Sequence, residues 1–159
     1  MYSHSHTISF RGIDTILVSV QVHLSNGLPA MAIVGLADKA VVESRERVRA
    51  ALSSLGLALP AKRIVVNFSL ADIIKEGAHF DLSIALGVLV AMAALPQDAV
   101  DGHLVLEELS LDGSIQTVSG VLPAALCAAE RSQRLICPAE NGSEAAWGCD
   151  MDILWRLIA

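Results

Sequence analysis

Residues 82–95, "LSIALGVLVAMAAL", form the longest nearly unbroken apolar run of the chain, and this run limits the fold most tightly. It is shorter than the ~20 residues a membrane span requires. A helix that is apolar on every side must instead be enclosed by other elements. Phe80 to Leu95 is therefore predicted as a buried helix, closed by Pro96. Gly87 in its middle costs about 1 kcal/mol against alanine, which implies close approach of the helix to a strand.

The rest of the chain has to supply that enclosure. With 159 residues and 53% hydrophobic content, it is long enough for one well-covered core, read as a single domain over 1–159. Alternation in "TILVSVQVHL" marks a half-buried strand within 14–24, paired as a hairpin with a strand over 5–10 through Gly12 and Asp14. "AMAIVGL" (30–36) is a third strand. Ala37, Val41, Val48, Leu52 and Leu55 recur at helical spacing, with Lys39, Glu43, Glu46 and Arg47 on the other side and Gly56 as C-cap. "KRIVVNF" (62–68) reads as a buried central strand, and 104–116 as two short strands joined at Asp112-Gly113. Val121 to Arg131 is a further helix and "RLICP" a strand, while 150–159 fits a terminal helix or a strand equally well. The order predicts an α/β (α+β) domain: a mixed sheet packed by three or four helices.

Composition narrows the function. A net charge of −6, without basic clusters, opposes direct affinity for nucleic acid or anionic membranes. Cys127, Cys137 and Cys149 lack metal-type spacing, and an odd number suits reduced thiols. The start "MYSHSHTISF" has no signal-peptide pattern, so a soluble cytoplasmic chain is expected, with no membrane association.

No nucleotide motif is present; the single glycine of "VGLADKA" is read as an ordinary tight connection. His4 and His6 share one side of a strand but lack a third ligand, so no metal is expected. The stretch "KEGAHFDLS" holds the ionisable groups best placed for chemistry. Lys75 and Glu76 read as a solvated loop pair, Asp81 as a carboxylate favouring the start of its helix, and Ser83 as a packing residue. On the first long helix the alternating charges make a solvent face on which Arg45 and Arg49 share an edge. Arg45, Arg49, Lys75, Glu76 and Asp81 form the candidate interaction surface; no catalytic, cofactor or metal residue is assigned.

The long pattern "NGLP…IVGL…V.ES..RVR.AL…P..RI.VN…AD..KEG..FDL.IALG" resembles the N-terminal domain of magnesium-chelatase-like AAA+ ATPases of the YifB and ComM type, and "ELSLDGSIQTVSGVLPAAL" extends it to about residue 126. The resemblance implies a fold like the Lon proteolytic domain and the second domain of ribosomal protein S five. It implies an ATP-driven ring acting on DNA, with ATP and Mg bound only by a downstream AAA+ domain absent from this chain, and contacts to that domain or to neighbouring subunits. Lon-type peptidases carry a serine soon after such a Lys-acid-Gly turn and a lysine at a later loop-helix junction. Here those slots fall at or near His79 and at Leu122 or Pro123, so the peptidase pair is missing and a non-catalytic accessory domain is expected. Two other readings stay open: a peptidase with a displaced Ser83–Lys75 pair, and a stand-alone nucleic-acid-binding module. The family pattern also has glycine where this chain has Glu107, a change expected to perturb a strand junction or narrow a surface groove.

Overall fold

The structure, a computed structural model, describes residues 1–70 and 72–147 and the backbone of 153–154. Its centre is a seven-stranded mixed sheet in the order β3-β4-β2-β1-β5-β8-β9. Strands β1 (Tyr2–Arg11) and β2 (Asp14–Ser25) form the predicted hairpin, which closes at Gly12 with φ +61°. Strand β3 (Ala30–Val34) runs parallel to β4 (Arg63–Phe68), which pairs antiparallel with β2. On the other flank β5 (His103–Val105), β8 (Arg134–Ile136) and β9 (Ile153–Leu154) follow β1 in parallel.

The pleat sorts side chains to two faces. Thr7 lies opposite Val18, and one step along Ile8 lies opposite Leu17. The Val18 face, with Val20, Val22, Ile64, Val66 and Phe68, is covered by α1 (Lys39–Ser54) and α2 (Asp81–Ala91). The Ile8 face, with Leu104 and Leu135, is covered by α3 (Val121–Glu130) and meets α4 (Gly142–Ala146). A small separate hairpin joins β6 (Glu108–Leu109) to β7 (Ile115–Gln116).

Helix α2 is the apolar run that opened the sequence reading, and every one of its residues is buried. The strand beneath it is unusual in presenting hydroxyls: Ser3, Ser5, Thr7 and Ser9 of β1 are all buried. Ser3 Oγ donates to the Gly87 carbonyl at 2.5 Å and Ser5 Oγ to the Ser83 carbonyl at 3.1 Å. Small side chains let the helix backbone come this near, and the Ser3 and Ser5 hydroxyls are satisfied on helix carbonyls, while Thr7 Oγ1 has no hydrogen-bond partner among the described residues. Gly87 completes the fit: a Cβ there would lie 2.6 Å from Val22 Cγ2 and 3.4 Å from Ser3 Oγ. Alanine gains up to about 1 kcal/mol of helix propensity, whereas overpacking a tight core costs about 1–3 kcal/mol. Val22 is buried and stiff at χ1, so the clash wins. Gly87→Ala is expected to lower stability by about 1 kcal/mol, read as a lower urea midpoint at unchanged slope; a gain in stability would refute the close approach.

Several boundaries differ from the sequence reading. The first strand begins at Tyr2, because the serine face gives no hydrophobic alternation to mark it. Strand β4 is one place from the sheet edge and alternates in burial, so it is half covered and not a central strand buried on both faces. Helix α2 stops at Ala91 because Ala93 turns left-handed at φ +61°. The 104–116 region contributes β5 to the main sheet as well as the hairpin, and α4 was not anticipated. The terminal segment supplies β9, while the rest of 150–159, like Cys149, lies outside the described residues.

Candidate functional site

The loop from Ser69 to Asp81 connects β4 to α2, and backbone pairing fixes it against the entry to α1. Lys75 N–H donates to the Leu36 carbonyl at 3.0 Å, and the Lys75 carbonyl accepts from Asp38 N–H at 2.9 Å. Asp38 then caps α1, its side chain accepting from Val41 N–H at 2.9 Å. Just ahead, Gly35 has φ +107°, and a Cβ there would lie 2.4 Å from the Phe68 carbonyl oxygen. The glycine of "VGLADKA" is thus required by a tight crossing over β4.

Lys75 and Glu76 are not a solvated pair. Glu76 is exposed, but Lys75 is fully buried and its ammonium donates to the Leu70 carbonyl. Leu70 sits at φ +59°, so the lysine closes a strained turn within its own loop. Burial pulls the Lys75 pKa down, and the nearby Asp72 carboxylate partly opposes the shift. Ser83 Oγ is buried without a hydrogen-bond partner among the described residues. The displaced Ser83–Lys75 pair is therefore not formed: the amine is bonded elsewhere and the hydroxyl to nothing.

Asp81 does more than favour a helix start. Its carboxylate is fully buried and accepts from four groups: Arg47 Nε at 2.7 Å, Arg47 Nη2 at 3.1 Å, Ser44 Oγ at 2.5 Å and Leu109 N–H at 3.1 Å. One side chain thus ties α2 to α1 and to β6. The hydrogen bond to Asp81 is the main reason the Arg47 guanidinium is held above its ordinary pKa, against the opposing effect of burial. Arg47 was assigned to the solvent face, yet its side chain is only 18% exposed. Charge alternation along the helix concealed it, since a partner in another element leaves no local signal.

The Arg45–Arg49 edge is uneven. Arg45 is half-buried and reaches the Met31 carbonyl through Nη1 at 3.4 Å, whereas Arg49 is exposed. Glu107 is corrected too. It lies on no surface groove: it is 1% exposed, and its Oε2 has no hydrogen-bond partner among the described residues. The junction around it stays intact, with Glu107 N–H donating to the His79 carbonyl and its own carbonyl accepting from Leu82 N–H, both at 3.3 Å. Burial pushes the Glu107 carboxyl up to about 8.

Two clefts flank this region. One, of about 300 Å³, is apolar and lies between α1, α2 and the β6–β7 hairpin, lined by Leu52, Leu55, Leu82 and Ile115. The other, of about 410 Å³, is polar, lined by Phe10, Glu76, His79, Glu108, Thr117 and Ser119. The polar cleft holds the His79 slot, while the later slot, Leu122 and Pro123, falls within the first turn of α3. His79 is 8% exposed, its Nε2–H donates to the Ile8 carbonyl at 2.7 Å, and its ring packs against Phe10 and Phe80. Desolvation lowers the His79 pKa, so the ring is neutral near pH 7. Among the described residues no helix is long and apolar enough to cross a membrane.

A family model described as subunit ChlI of Mg-chelatase matches residues 20–141. The competence protein ComM of Haemophilus influenzae is 42% identical over 141 residues, covering 89% of this chain and 28% of ComM. The uncharacterized protein YifB of Salmonella typhimurium is 36% identical over 139 residues, covering 87% of this chain and 28% of that protein. An uncharacterized protein of Mycobacterium tuberculosis is 37% identical over 148 residues, covering 92% of this chain and 29% of its own length. The chain thus spans less than a third of the curated relatives it matches.

Proposed function

This chain belongs to the family of the ChlI subunit of Mg-chelatase, and from that premise we propose that it is a non-catalytic accessory domain of a YifB/ComM-type AAA+ ATPase. Its role is to hold subunits or a partner against an ATP-driven ring, and DNA is met through the full-length protein. The observation that supports this best is the commitment of Lys75 and Asp81. Lys75 bonds to Leu70, and Asp81 bonds to Arg47, Ser44 and Leu109, so neither is poised to move a proton on a substrate. The groups left facing solvent, Glu76 and Arg49 among them, suit contacts with another protein surface. ATP and Mg belong, in this reading, to the AAA+ motor, and the domain works in the cytoplasm.

The purified chain is expected to release no phosphate from ATP above the blank. It is also expected to show no affinity for single-stranded DNA at low-micromolar concentration, because its acidic balance repels phosphates. ATP turnover by the chain alone, or DNA binding that weakens steeply with salt, overturns the proposal. Covalent labelling by a serine-reactive phosphonate that disappears in Ser83→Ala would transfer the chain to the peptidase reading.

A further inference from the structure

The polar cleft between the loop at Glu76 and the segment preceding α3 brings two carboxylates and two hydroxyls together. Glu76 and Glu108 contribute carboxylates, and Thr117 and Ser119 contribute hydroxyls. Carboxylates on a surface are no site by themselves, but His79 adds a second and independent feature. A carbonyl can only accept, so Nε2, which meets the Ile8 carbonyl, carries the ring hydrogen. In the neutral ring Nδ1 is then a bare lone pair. No hydrogen-bond donor reaches it among the described residues, and it is not sealed among the buried, unpartnered atoms. It lies 3.1 Å from where a Gly77 Cβ would stand, and Gly77 lines the cleft. The absence of a side chain at position 77 is what keeps this nitrogen open.

Two carboxylates and a bare imidazole nitrogen, beside hydroxyls that can turn to accept, suit a positively charged ligand rich in N–H groups. A metal ion fits poorly: among the described residues no three His, Cys, Asp or Glu side chains converge closely enough to hold one. Several separate acceptors suit a planar guanidinium, whose five N–H donors point outward and reach several partners at once. A lysine ammonium concentrates its donors on one atom, as a metal ion concentrates its charge. Phe10 lines the cleft beside His79, the two rings meeting edge to face at 5.4 Å. Two neighbouring cations, Arg47 and Lys75, are already engaged. Arg47 lies close enough to Glu108 to feel its charge, but its hydrogen bonds go to Asp81, Ser44 and the Ala40 carbonyl. The Lys75 ammonium is bonded to Leu70.

We propose that this cleft receives an arginine side chain from a partner protein segment, with His79 Nδ1 and the Glu76 and Glu108 carboxylates as its acceptors. The proposal deepens the accessory-domain reading and rests on it for the idea of a protein partner. Nucleic acid is disfavoured, because the two carboxylates repel phosphates.

The test uses the isotope-labelled full chain and a capped Gly-Arg-Gly peptide, with its citrulline counterpart as the uncharged match of equal shape. The arginine peptide is expected to move the ¹⁵N resonance of His79 Nδ1 saturably toward the hydrogen-bonded range. Citrulline is expected to bind at least about tenfold more weakly, since charge-assisted bonds are lost. The Glu76→Gln/Glu108→Gln double variant, altered only at the cleft rim, is expected to lose affinity to a similar degree. Equal shifts with citrulline, no shift with arginine, unchanged affinity in the double variant, or displacement of the peptide by single-stranded DNA would each overturn the proposal. The ATP and DNA measurements described above judge the accessory-domain reading separately, so a cleft indifferent to arginine leaves that reading standing.

Discussion

Replacing Asp81 by alanine is expected to destabilise the domain by about 3–5 kcal/mol, the range seen when one partner of a buried ion pair is removed. The reason is what the substitution leaves behind. Arg47, with its side chain 18% exposed, loses its bidentate acceptor. Ser44 Oγ and the Leu109 amide lose theirs as well, and neither site is open enough for water to substitute freely. Against a typical total of about 5–15 kcal/mol, such a loss threatens the folded state. Asp81→Asn should lie between, because its remaining oxygen still accepts from two of the four donors while its amide nitrogen faces the other two, one of them on the guanidinium. The double variant Arg47→Leu/Asp81→Leu should recover part of the loss by removing both charges together. Urea unfolding decides the matter: an Asp81→Ala variant within about 1 kcal/mol of the parent would show that the pair contributes little.

The Asp81 network also shows where sequence reading reaches its limit. Features carried by local spacing were legible: the hairpin of β1 and β2, helix α1, and the buried helix α2 with its glycine pressed on a strand. Apolar periodicity reports which face of an element is covered, and Gly87 could be read because an apolar run penalises glycine unless packing requires it. Polar pairing across long sequence separations leaves no such trace. Ser44 and Arg47 lie on α1, and Asp81 opens α2; nothing in either segment names the other. Arg47 and Asp81 are therefore assigned the fates typical of their residue types, a solvent face and a helix terminus. The same default misplaced Lys75, whose burial depends on a carbonyl presented by the left-handed Leu70. The serine face of β1 was missed for the converse reason: Ser3 and Ser5 are buried polar residues whose partners are helix carbonyls. In the polar cleft, the sequence could mark the "KEGAH" turn but could not reveal that His79 turns one nitrogen to Ile8 and leaves the other uncovered.

Glu107 carries the second large expectation, a stability that falls as pH rises. Burial lifts its carboxyl from an ordinary value of 4.5 to about 8, because desolvation penalises the charged form and Oε2 has no hydrogen-bond partner among the described residues. Below pH 4.5 the group is protonated in both the folded and the unfolded chain and stability does not depend on it. Between 4.5 and 8 the unfolded chain releases the proton while the folded chain keeps it, so each pH unit costs the fold up to about 1.4 kcal/mol. Above 8 both forms are ionised and the loss, about 5 kcal/mol in all, is complete. Other groups titrate in the same range and in the opposite sense; His79, buried and neutral, favours the fold as pH rises through its unfolded value of 6.5. Comparison with Glu107→Gln removes that background, since the amide matches the carboxylic acid in shape and carries no charge at any pH. The variant is expected to differ little from the parent in urea midpoint at pH 4.5 and to be several kcal/mol more stable at pH 8.5, by roughly the full linkage. Parallel pH profiles for the two proteins would mean that Glu107 finds a partner or solvent when it ionises, and that its burial at the seam between β5 and β6 is not held under load.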